Sequence, residues 1–132
     1  MAETKSNGRL LSEASTDRVI GAAIEVHSCL GPGLLESAYE CALTHELVGR
    51  GADVRRQVEV PVEYKGIQLD AGFRIDLLVD SSVVVELKAV ERILPVHEAQ
   101  LLTYLKLSRL RVGLLINFNV QRLKDGILRR VL

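Results

Sequence analysis

The chain has no tryptophan, two cysteines, three prolines and one methionine, and aromatic residues make up only 4% of it. With so few rings, the core must be built mainly from aliphatic side chains. Two cysteines, Cys29 and Cys41, are too few for the disulfide framework of a small secreted domain. The opening stretch MAETKSNGRLLSEAS lacks the apolar centre of a signal peptide, and no apolar run approaches the ~20 residues of a membrane span. These absences point to a cytoplasmic protein with no membrane partner. A basic excess is missing too, because Lys plus Arg and Asp plus Glu both total 17. A role on nucleic acid would therefore have to rest on local charge.

What is present is a chain of 132 residues, 48% hydrophobic and 26% charged, the size and balance of one globular domain. Residues 1–14 are polar without sustained period and read as a loosely ordered lead-in, leaving a single domain over 15–132. From Thr16 or Asp17, either of which can cap a helix, Val19, Ala22, Ala23, Val26 and Leu30 recur at helical spacing up to Gly31-Pro32-Gly33. Leu35, Ala38, Tyr39, Ala42, Leu43 and Leu47 form a second helical stripe, closed by Gly51. The period then falls to two. Val54 to Tyr64 predicts a strand, Lys65-Gly66 a turn, Ile67 to Val79 a second strand bent near Ala71-Gly72, and Val83 to Val90 a third after Asp80-Ser81-Ser82. Pro95 opens a helix reaching about Ser108, Arg111 to Phe118 returns to strand, and Ile127 to Leu132 ends the chain as a short strand. The order is ααβββαββ, an α/β fold.

The third strand reads Val83-Val84-Val85-Glu86-Leu87-Lys88, so Glu86 and Lys88 share one face of an otherwise apolar strand. A three-residue turn at Asp80-Ser81-Ser82 pairs Val79 with Val83 and, counted outward, sets Asp76 opposite Glu86. Facing carboxylates repel unless a cation lies between them, and an all-oxygen donor set suits Mg²⁺ or Mn²⁺. The competing reading is a half-exposed face in which Asp76 pairs with Lys88 or Arg74.

Asp76, nine intervening residues and Glu86-Leu87-Lys88 resemble the D...ExK core of the PD-(D/E)XK nuclease superfamily. Gly33-Leu34-Leu35-Glu36-Ser37-Ala38-Tyr39 is similar to the motif of its GxxExxY family, and Gln100-Leu101-Leu102-Thr103-Tyr104 resembles the QxxxY motif of the RecB-like branch. The resemblance, spanning about Val19 to Leu132, implies a restriction-endonuclease-like core with a mixed central sheet flanked by helices. It implies Asp76, Glu86 and Glu36 as catalytic metal ligands with the Leu87 carbonyl as a further one. Lys88 would position the attacking water, Gln100 and Tyr104 would hold substrate, and the cofactor would be Mg²⁺ or Mn²⁺. The implied activity is metal-dependent hydrolysis of phosphodiester bonds in DNA or RNA, with a homodimer or protein partner as further possibilities. The alternative is a nucleic-acid- or protein-binding module that keeps the fold without turnover.

Three weaker features complete the sequence. Glu36 alone reads as a carboxylate favoured at a helix N-terminus. Cys41 and His45, four apart on a helix, invite a zinc reading, but His27 and Cys29 point to different faces and a structural role is expected for His27. The cysteines read as core residues.

Overall fold

The computed structural model describes the backbone of residues 2–132, with side chains from Ser12 onward. The elements are α1 (Ala2–Leu30), α2 (Glu36–Gly49), β1 (Val54–Tyr64), β2 (Ile67–Val79), β3 (Val83–Lys88), α3 (Pro95–Ser108), β4 (Val112–Asn117) and β5 (Ile127–Val131), with a single 3₁₀ turn at Leu123–Gly126. The order is the ααβββαββ expected. α1 covers the stretch expected to be a lead-in, and Thr16 lies inside it, its hydroxyl bonded to the Ser12 carbonyl at 2.7 Å rather than capping a helix start. The adjacent Ser15 hydroxyl reaches the Asp80 carboxylate at 2.6 Å, which ties α1 to the β2–β3 turn.

The strands form one mixed sheet in the order β1-β2-β3-β4-β5. Only β3 and β4 run parallel, and a parallel pair needs a crossover, which α3 supplies. Helices α1 and α2 cover one face over Leu77, Val79, Val83, Val85, Leu114 and Ile116. On the other face α3 lays Leu101 and Leu105 against Ile75, Val84 and Leu115. Gly113 permits that approach, since a Cβ there would lie 2.7 Å from Leu101 Cδ1. The result is a restriction-endonuclease-like three-layer core.

Three strands are shorter than expected: β3 stops at Lys88 rather than Val90, β4 runs Val112–Asn117 rather than Arg111 to Phe118, and β5 stops at Val131 rather than Leu132. Beyond Lys88 the pairing is continued by a side chain: buried Asn117 accepts from the Val90 N–H at 3.1 Å and donates to the Val90 carbonyl at 2.9 Å.

Candidate active site

The β2–β3 ladder follows the predicted register, Val79 with Val83, Leu78 with Val84 and Leu77 with Val85, and then ends. At the next step Asp76 and Glu86 exchange bonds through their carboxylates. The Asp76 N–H donates to Glu86 Oε1 at 3.1 Å, and the Leu87 N–H donates to Asp76 Oδ2 at 2.9 Å.

The cause is a reversal of the strand. Residues two apart in a strand share a face, yet Leu77 packs with α1 and α2 while Ile75 packs with α3. Strand β2 therefore turns over at Asp76. Its partner β1 does the same opposite, where Gln57 adopts a φ of 50° and interrupts a ladder that resumes in register at Val58–Ile75. The turnover frees the Asp76 N–H from the ladder and gives it to Glu86.

Glu86 is only 7% exposed. Burial first, and then the charge of Asp76, push its carboxyl up to about 8, partly offset by nearby Lys88. Tyr104, on α3, stacks on Phe73 with ring centroids 4.1 Å apart. Its phenol is pushed above the usual range by burial and then by the charges of Glu86 and Asp76, so the ring stands within electrostatic reach of the pair. Lys88 is partly buried and forms no ion pair among the described residues, and Arg74 pairs instead with Glu59 at 3.2 Å. The bonds of Asp76 thus go to Leu87 and Gln57, not to Lys88 or Arg74.

A third carboxylate is linked to the pair, and it is Glu40 rather than Glu36. Glu36 is exposed in the first turn of α2. Glu40, 8% exposed, takes two bonds from Arg56 and one from Gln57 Nε2 at 2.6 Å, and the same Gln57 nitrogen lies 3.4 Å from Asp76 Oδ1. A signal for Glu40 was available, because it sits three before Leu43 and seven before Leu47, on the apolar stripe of the helix. Gln57 had none, since its role comes from a backbone reversal.

A family model of the PD-(D/E)XK nuclease superfamily matches residues 13–131. The chain belongs to the PD-(D/E)XK nuclease superfamily. Searches of curated proteins and of solved structures find no match. Nucleases of this superfamily generally use divalent metals and act on nucleic acid, which directs attention to what the PD-(D/E)XK pair can hold. Among the described residues no three His, Cys, Asp or Glu side chains converge as a ligand set. Asp76 and Glu86 stand side by side as a pair of carboxylates without a third converging ligand. That suits Mg²⁺, which commonly takes one or two carboxylates and fills its octahedron with water and phosphate oxygens.

The remaining sequence-singled residues of this PD-(D/E)XK chain fall as follows. Tyr39 is buried, stacks on Phe118 at 4.4 Å, donates to the Gly31 carbonyl at 2.6 Å and accepts from the Leu34 N–H at 3.1 Å. It fastens the Gly31–Leu34 loop, where Gly31 and Gly33 have φ of 69° and 103°. Gln100 is exposed one turn before Tyr104, and His97 accepts the Leu94 N–H at 2.9 Å at the start of α3. His27 is buried and donates from Nε2 to the Val120 carbonyl at 2.7 Å, fixing α1 to the segment after β4. Cys29 and Cys41, expected in the core, are both exposed, because the inward stripes of α1 and α2 are occupied by Val26 and Leu43. His45 is exposed beside Cys41, without the third ligand a zinc site would need among the described residues. No helix among the described residues is long and apolar enough to cross a membrane.

Proposed function

We propose that the chain is a Mg²⁺- or Mn²⁺-dependent nuclease that hydrolyses phosphodiester bonds, with its active site at Asp76, Glu86 and Lys88. The observation that carries this is the adjacency of the two carboxylates at the β2 turnover. Each anchors the other strand's backbone N–H, so both are held in place without a cationic side chain bound between them. A structural ion-pair face would place an arginine or lysine there. Within the superfamily the chain resembles the GxxExxY family through Gly33, Glu36 and Tyr39, and the RecB-like branch through Gln100 and Tyr104.

The donor set fits a hard divalent cation, with Asp76, Glu86 and the Leu87 carbonyl as the groups that would hold it. Such an ion would supply a bound water of lowered pKa and polarise a phosphoryl oxygen. Lys88, on the Glu86 face of β3 and without an ion pair, orients the attacking water and stabilises charge developing on the phosphate. Tyr104, stacked on Phe73 and within electrostatic reach of the pair, and exposed Gln100 one turn earlier on α3 would hold substrate. Glu40 acts through Gln57, which keeps Asp76 turned toward Glu86. The test is cleavage of single- and double-stranded DNA and RNA in Mg²⁺, in Mn²⁺ and in EDTA. Cutting that EDTA abolishes is the expected result. Substrate left intact under every metal condition would reduce the chain to a binding module.

A further inference from the structure

The neutral net charge conceals a segregation. Residues 106–132 carry seven basic side chains (Lys106, Arg109, Arg111, Arg122, Lys124, Arg129 and Arg130) against one acid, Asp125. Three of these arginines converge. Arg109, Arg111 and Arg129 line a cleft of about 580 Å³ at the end of the sheet remote from Glu86, where Val112 and Val131 begin and end their strands. All three are exposed, and none forms an ion pair among the described residues. The backbone also helps place them: Arg109 adopts a φ of 60° at the end of α3, which sends the chain from the helix into β4 with Arg111 close behind.

The cleft holds a second polar feature. Ser82 is part of its lining, and the Ser82 hydroxyl is buried with no hydrogen-bond partner among the described residues. An unpaired buried hydroxyl is costly unless something meets it. Glu13 is the one acid of the lining, so the three guanidiniums leave an excess of two positive charges. Planar guanidiniums grip phosphate oxygens in pairs, and a hydroxyl can donate to a further oxygen.

We propose that this cleft is a phosphate-binding site that seats a backbone phosphate of the nucleic-acid substrate, away from the scissile bond. The proposal rests on the nuclease reading for its substrate class, but on separate residues. Along β3 the step from Ser82 of the cleft to Glu86 covers ~13 Å at the usual rise. A duplex strand carries one phosphate per ~3.4 Å of axis, so the sites are about four phosphates apart.

The test is binding of fluorescently labelled 20-nucleotide single-stranded and duplex DNA and RNA to the full chain in EDTA, where cutting is suppressed, over a NaCl series. Arg111→Gln/Arg129→Gln and Ser82→Ala are compared with Lys65→Gln, and thermal melts check that each folds. The double arginine variant should weaken binding at least 10-fold and reduce the salt slope by about 2, because each arginine releases roughly one counterion. Ser82→Ala should weaken binding a few-fold, and Lys65→Gln, an exposed charge at the β1–β2 turn outside both sites, should bind within about twofold of wild type. Unchanged affinity and slope in a folded double variant would overturn the proposal. So would loss of inorganic pyrophosphate binding with oligonucleotide binding intact, which would assign the cleft to a small phosphate ligand. Wild type that binds in this arginine-dependent way but never cuts would sink the nuclease reading alone. Cutting with an unaltered KM in the double variant would sink the cleft alone.

Discussion

Lys88 is the sharpest single-residue probe, because its side chain neither packs in a core cluster nor forms an ion pair among the described residues. Lys88→Ala should keep the wild-type melting temperature within a degree or two and lower kcat by about 10²-fold or more, the scale of losing one preorganised electrostatic group. Undiminished cutting would assign the activity elsewhere. Glu86 gives a signature that needs no substrate. Its carboxyl, pushed up to about 8, holds its proton more tightly folded than unfolded. It therefore contributes stability that is complete below the ordinary carboxyl range and is lost as pH rises through about 8. In EDTA the wild type should lose on the order of a few kcal/mol between roughly pH 5 and 8.5, and Glu86→Gln should flatten that dependence. Denaturant melts at several pH values measure it, and parallel curves for both proteins would mean that Glu86 titrates normally.

Among the elements, α2 and its preceding loop are held by Tyr39. Tyr39→Phe keeps the stack on Phe118 but leaves the Gly31 carbonyl and the Leu34 N–H without their partner. A loss of about 1–3 kcal/mol is expected, together with faster amide exchange at Leu34. Unchanged stability would mean that water replaces the phenol at no cost. Of Gly33, Glu36 and Tyr39, Gly33 takes a left-handed turn and Tyr39 locks it, whereas the carboxylate linked through Gln57 to Asp76 is Glu40, one residue beyond Tyr39. The spacing of Glu36 and Glu40 is one helical turn, so both lie on one side of α2 and the sequence alone does not separate them. Burial against β1 does, because only Glu40 meets Arg56 and Gln57.

At the scale of the molecule, an ion held by the proposed carboxylate pair would couple its binding to the fold. Asp76→Asn keeps an oxygen to accept the Leu87 N–H and, above about pH 8, where Glu86 is charged, removes one of two close charges, so without metal it should there be as stable as the wild type or more so. It should lose most of the melting-temperature rise that millimolar Mn²⁺ gives the wild type, since an ion bound only by the folded state stabilises it. Calorimetry of both proteins decides, and a destabilised mutant beside a metal-blind wild type would remove the metal site. The element order, the β2–β3 register and the placing of Glu86 and Lys88 on one face were legible in the sequence, because periods of 3.6 and 2 and a three-residue turn are local properties. The start of α1 was not, since its first turns lack an apolar stripe. Three further features also escaped a local reading: the reversal at Gln57 and Asp76, the Asn117 clamp on Val90, and the gathering of Arg109, Arg111 and Arg129 around Ser82. Each joins residues far apart in the chain, and their meeting is decided by which strands pair and where the sheet turns over, which only the packed tertiary structure fixes.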